Sequence, residues 1–413
     1  MAKYRHAKKI NIQLIIIIAL AVLTITAVTV GIIITVSNNN KNNEPAPTQV
    51  PTTAPTEAPT EAPTEDPEMK YSKLAQNYMN NMSLDDKIYQ MLLVSPEALT
   101  GVDVVTMAGP STETALTEKP VGGILYGEQN FESDEQATEM LINIKSFAKY
   151  PLFLATNEES ENKATYTAES ETQAFDDANT IGQKLHTLGL NFNLAPSAAI
   201  SGDDAYSADP TTAGMLVKQA MLGFRNNNIV TALNAFPSIG ENANPYDVMK
   251  TSEFVPFVSA FTEGADAVVI GYNKASGIDA EYPAFMSTRI VKDLLITELK
   301  FNGLIVSPAL KYDALTSEYA KETMVNMSIA AGVNMLVCID DVDSYVEAIK
   351  KGLSDGTITE DMINESVAKI LTLKFKYGII DSNVAPPPTS EIPTDAPTEA
   401  VSDPTQEVAT TEN

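Results

Sequence analysis

Eight short apolar runs constrain this chain more than any other feature of its sequence. They are QMLLVSP, VGGILYG, PLFLAT, NFNLAP, IVTALNAFP, AVVIGY, GLIVSPA and MLVCID, in that order over residues 90–340. Each is rich in β-branched or other apolar residues and ends on a small or polar one. A sheet wetted on one face would alternate apolar with polar residues. Several of these runs do not, which predicts strands buried on both faces. Between them lie helix signals, such as the start at Met286 to Arg289 before VKDLLITELK and the stop at Gly303. Alternating strands and helices in this number predict a TIM-like (β/α)8 barrel as a single globular domain, with an open doubly wound sheet as the alternative.

The two ends are of another kind. Of 24 prolines, 13 fall in Glu44 to Glu68 and in the stretch from Val384 onward, both mixtures of Pro, Thr and acids with almost no large apolar residue. Such segments bury too little surface to offset ordering entropy and are expected to be disordered spacers. At the front, Lys3, Arg5, Lys8 and Lys9 precede 23 uncharged residues, Leu14 to Val36, long enough as a helix to span ~30 Å of hydrocarbon. A cleaved signal peptide shares this pattern, but the apolar stretch exceeds the usual length and no Ala-x-Ala-like site precedes Ser37. The expected organisation is a cytoplasmic basic end at 1–9, a transmembrane anchor at 10–36, a spacer at 37–68, the globular domain at 69–380 and an acidic tail at 381–413. The basic front places that domain outside a cell membrane crossed once.

Beyond residue 41 the chain carries 22 basic residues against 54 acids, a formal charge of −32, which argues against nucleic acid as a partner. Cys338 is the single cysteine, so neither an intrachain disulfide nor a Cys-based zinc site can form. His6 and His186 fall on opposite sides of the expected membrane. His186, in DDANTIGQKLHTLG, reads as a helix-end residue. The sequence implies no cofactor and no metal. The fifth run opens into ALNAFPSIGE, Ala232 to Glu241, a loop without His, Lys, or any acid before Glu241. Barrel enzymes place their chemistry at such strand ends.

ITEDMINESVAKILTLKFKYGII, Ile358 to Ile380, resembles the helix that closes the catalytic barrel of glycoside hydrolase family 3. NNMSLDDKIYQMLLV resembles that family's opening helix and first strand. VGGILYGEQNFESDEQATEMLINIKSFAKYPLFLAT, LGLNFNLAP and LKFNGLIVSP follow in family order with similar spacing. The single-barrel length is most similar to the bacterial β-N-acetylhexosaminidase branch, which trims N-acetylglucosamine from wall glycans. The resemblance implies a retaining glycosidase, which needs a carboxylate nucleophile and a separate proton donor about 5 Å apart.

Carried over position by position, the resemblance finds those groups replaced. Pro308, in VSPAL, stands where the family has its nucleophilic Asp. Asn234 and Ala235 stand where Lys and a sugar-binding His are expected, and Ile239 stands at the proton-donor His of this branch. Phe236, Pro237 and Gly240, which shape the turn, remain. Asn157 and Glu158 fall in the strand end whose Asp would hold sugar hydroxyls, Asp204 at a loop Arg, and Tyr272 at the His ending the sixth strand. Relocated acids are conceivable at Glu158, Glu241 or Asp313, but Glu158 matches a family position that is not the nucleophile, and Glu241 and Asp313 read more simply as solvated loop acids. Asp340, Asp341 and Asp343 read as the polar start of a helix. Sugar stacking, with no Trp in the chain, would fall to Tyr126, Tyr206, Phe236 or Tyr272. Two functions are therefore expected: a non-catalytic barrel serving as a cell-surface scaffold for wall glycan or a protein partner, or an active O-glycosyl hydrolase using relocated acids.

Overall fold

The computed structural model describes residues 67–157, 168–238, 244–311 and 313–383. The expected anchor, the spacer up to residue 66, the tail from residue 384, and Glu158, Ile239 and Glu241 lie outside them. Among the described residues no helix is long and apolar enough to cross a membrane.

All eight strands fall inside the eight apolar runs: β1 Leu92–Val94, β2 Gly123–Leu125, β3 Phe153–Thr156, β4 Phe192–Asn193, β5 Val230–Phe236, β6 Ala267–Ile270, β7 Leu304–Ala309 and β8 Met335–Cys338. They pair in parallel in sequence order and close, with Leu93 opposite both Gly123 of β2 and Val337 of β8. The pairing of β1 with β8 decides for the barrel over the open sheet. The main helices are α1 Pro67–Met79, α2 Leu84–Gln90, α3 Pro110–Glu118, α4 Asp134–Phe147, α5 Glu171–Leu188, α6 Pro210–Arg225, α7 Val255–Thr262, α8 Lys321–Ala331, α9 Val342–Asp355 and α10 Glu360–Lys376. Between β6 and β7 runs a π-helical segment, Arg289–Glu298.

Local chemistry sets these boundaries. Ser83, Ser133, Ser170, Asp209 and Thr359 each accept a hydrogen bond from a backbone N–H in the first turn of the helix they precede. Gly189, after α5, takes a left-handed φ of 103° and donates its N–H to the carbonyls of Leu185 and His186. His186 thus sits in the last turn of α5, as its sequence context suggests. Gly303 does not act as the expected helix stop. The helix ends at Glu298, Lys300 turns the chain at a φ of 59°, and a Cβ on Gly303 would lie 2.5 Å from the Asp266 carbonyl oxygen. Close approach of β7 to the chain entering β6 is what requires glycine there.

Side chains alternate along each strand. Leu93, Phe153, Ala155, Phe192, Leu194, Val230, Ala232, Ala267, Val269, Leu304, Val306, Met335 and Val337 form one cluster, filling the barrel together with Ile370 and Leu373 of α10. Ile124, Leu154, Leu233, Val268, Ile270, Ile305 and Leu336 belong to a second cluster with the surrounding helices. The interior is thus a packed core, floored by α10, with open space above its upper layer.

Candidate functional site

That space is a cavity of about 570 Å³ at the C-terminal ends of the strands. Its floor is apolar, built from the upper interior residues Leu125, Leu194, Val269 and Val337 with Ala235, Pro308 and Ala309. Asn157, Ser201, Asp204, Asn234, Ser238, Tyr272 and Asn273 stand around it. Asn157, Asp204, Asn234, Tyr272 and Pro308, named from five separate segments of sequence, therefore meet in one place. A second cavity, about 640 Å³, lies at the opposite end of the barrel beside Lys145, His186, Asn191 and Tyr377, away from these groups.

The β5 end is held from both sides. Asn234 donates its N–H to the Pro196 carbonyl (3.0 Å) and accepts from Ala198 N–H (2.7 Å), while its side-chain amide donates to the Leu194 carbonyl (3.3 Å). Phe236 is fully buried, 5.5 Å from the ring of Phe254 and 5.2 Å from that of Phe257. It anchors the loop to the helix layer and does not face the cavity. The bonds Asn234–Ala235 and Phe236–Pro237 are cis.

Asp204 accepts a 3.0 Å hydrogen bond from the Ser197 hydroxyl. It is the one carboxylate, and there is no Lys, Arg or His, among the described residues lining the cavity. At the end of β7, Pro308 lacks an N–H, and the β7–β8 register shifts between Val306 and Ala309. Ser307, fully buried, bridges the gap. Its hydroxyl accepts from Val337 N–H (2.9 Å) and donates to the Pro308 carbonyl (2.7 Å), so a side chain supplies the acceptor for a ladder N–H.

Several expected site residues lie elsewhere. Tyr126 is 2 % exposed, with its ring 5.5 Å from that of Phe131. Burial raises its hydroxyl pKa. Neither it nor Phe236 can offer a stacking face, and Tyr206 is only partly exposed and packs against the core. Tyr272, 47 % exposed, is the aromatic face at the cavity. Asp340 pairs with Lys321, Asp341 caps α9 through Asp343 N–H (3.1 Å), and Asp343 pairs with Lys119 at 2.8 Å. These acids are a helix start, as read from the sequence. Asp313 opens a short helix, Asp313–Thr316, after β7. The sequence reading did not single out Ser197, in the loop after β4, and gave no part to the hydroxyl of Ser307, within β7; their hydrogen-bond partners reveal both.

A closed eight-stranded barrel with its polar side chains gathered at the C-terminal strand ends defines the architecture of a barrel enzyme. The chain belongs to the glycosyl hydrolase family 3, whose N-terminal domain profile matches residues 83–373. It is 24% identical over 301 residues to a beta-N-acetylglucosaminidase/beta-glucosidase of Cellulomonas fimi, covering 63% of this chain and 53% of that protein. The chain thus spans about half the length of that relative. It is 22% identical over 327 residues to a beta-hexosaminidase of Xylella fastidiosa, covering 69% of this chain and 97% of that one. Among solved structures, a family 3 beta-N-acetylglucosaminidase from Paenibacillus superposes with a TM-score of 0.66 at 22% identity, over 72% of this chain and 63% of that one.

The Ser307 bridge yields a direct expectation. Ser307→Ala leaves the buried Val337 N–H without its acceptor and should lower unfolding free energy by about 1–3 kcal/mol. Tyr272→Ala should change it by less than about 0.5 kcal/mol. Urea unfolding followed by circular dichroism checks both, and a neutral Ser307→Ala would contradict the bridge.

Proposed function

We propose that this chain is a non-catalytic member of its family, a glycosidase barrel kept as a surface scaffold whose mouth binds wall glycan or a protein partner. The observation that carries this reading is Pro308 at the end of β7, at the position where the family resemblance places the nucleophilic carboxylate. Its ring has no nucleophilic atom, and the neighbouring hydroxyl of Ser307 is committed to the strand ladder. Asp204, the carboxylate among the described lining residues, is bonded to Ser197, and Asn234 is tied to the backbone of the loop after β4. A retaining mechanism needs both a nucleophile and a proton donor. Losing a general acid alone costs ~10² to 10⁴ in rate, and here both positions are changed. Fold by itself does not bring activity with it.

The alternative is an active hydrolase of β-N-acetylhexosaminidase or β-glucosidase type using Glu158, Glu241 or Asp313. The full chain, assayed with aryl N-acetyl-β-glucosaminide and aryl β-glucoside, should show no hydrolysis above a Pro237→Leu, Asn234→Leu double variant with an altered mouth. Turnover abolished by Glu158→Gln, Glu241→Gln or Asp313→Asn would establish the alternative and end the proposal. In the same preparation, wall glycan fragments that raise the melting temperature would favour the glycan-binding form, and no shift at high concentration would favour a protein partner.

The proposal includes display outside the cell on a single membrane helix at 10–36, supported by the basic front and the uncharged Leu14 to Val36. Protease added to intact spheroplasts should release a soluble fragment of about residues 69–380. Full protection of the chain would contradict that orientation.

A further inference from the structure

Lys374 of α10 is fully buried beneath the barrel interior. Its Nζ donates to Gln90 Oε1 at 2.9 Å and lies 5.2 Å from the centroid of the Phe153 ring. Gln90, also fully buried at the end of α2, holds its own amide against the carbonyls of Pro120 (2.8 Å) and Val121 (3.0 Å). Among the described residues no carboxylate pairs with Lys374. The charged groups on the elements packed around α10 are engaged elsewhere. Asp86 of α2 binds Lys149 and the Tyr150 hydroxyl, and Lys87 of α2 binds Asn364. Asp266, before β6, is held by Arg225, Lys376 and the Tyr377 hydroxyl. Tyr78 of α1 packs edge-on against Phe375 of α10. Lys369 reaches the Gly303 carbonyl, and Asp85 pairs with Lys350.

A protonated amine in this position has one neutral acceptor and an aromatic face in place of water, so the neutral amine is the form that fits. We propose that Lys374 is a pH-responsive latch: neutral, it seats α10 against the barrel floor through Gln90, and protonated, it loosens that floor. Burial lowers its pKa to about 7, so the change falls within the neutral range. The unfolded chain releases the same proton near pH 10.4. Between these two values the unfolded state binds the extra proton, and stability therefore rises with pH from about 7 upward. Two kinds of group act the other way. Burial pushes the Cys338 thiol and the Tyr78 hydroxyl up to about 12, so their stabilising effect is lost as the unfolded chain ionises, above about pH 8.5 for the thiol. Comparison with a Lys374 variant cancels both.

The test is urea unfolding of the full chain, read by circular dichroism, from pH 6 to 8.5. Relative to Lys374→Met, the wild-type folding constant should rise on the order of 30-fold over this range, given the two pKa values above. Parallel profiles for the two proteins would overturn the proposal. If Lys374→Met does not fold, Gln90→Glu supplies a carboxylate that keeps the ammonium charged, and the rise should flatten; a persistent rise overturns the proposal. Hydrogen exchange, corrected for intrinsic rate, should show protection of α10 growing from pH 6 to 8 more than that of α5. A uniform change would contradict a latch at the floor.

Discussion

An eight-stranded parallel sheet that closes on itself leaves an interior that only side chains can fill, and the rest of this molecule follows from that constraint. Every strand is buried on both faces, which is why the apolar runs do not alternate. Filling from Leu93 and Phe153 up to Val269 and Val337, with α10 beneath, leaves polar groups one place to converge, the upper rim. The buried amine of the floor, Lys374, is met by Gln90 and the face of Phe153. Rim and floor are opposite ends of one packed column, each with its own chemistry.

The fold was legible because burial on both faces leaves a plain mark in composition. The eight runs located the eight strands. Closure was not legible, since an open doubly wound sheet gives the same runs and only the pairing of β1 with β8 separates the two. Gly303 looked like a helix stop because glycine often is one; its actual reason, the approach of the Asp266 carbonyl, lies across the sheet. The site was legible as positions and less so as orientations. Asn157, Asp204, Asn234, Tyr272 and Pro308 do share one cavity, whereas Tyr126 and Phe236, equally close to strand ends, turn into the core. Alternation decides which way a strand-end side chain points, and a register shift or a bend at the last residue changes it.

The proposed loss of catalysis rests on the same geometry. Residues that shape the β5 loop, Phe236 and Pro237, remain where the resemblance expects them, and Phe236 does packing work against Phe254 and Phe257. The positions where the resemblance places the sugar-binding and nucleophilic groups carry Asn, Ala and Pro instead. Beside Pro308, the Ser307 hydroxyl accepts from Val337 N–H and so belongs to the strand ladder. Among the described residues the mouth has an apolar floor, amide and hydroxyl groups around it and an aromatic face at Tyr272. The proposal rests on the described lining holding one carboxylate, Asp204, where a retaining reaction needs one on each side of the glycosidic bond.

The most direct measurement is intact-mass analysis of the full chain after prolonged exposure to an activated 2-fluoro glycoside, which a retaining glycosidase converts into a stable covalent glycosyl-enzyme on its nucleophile. The account predicts an unchanged mass. An adduct of one glycosyl unit, mapped to any carboxylate at the barrel mouth, would contradict it.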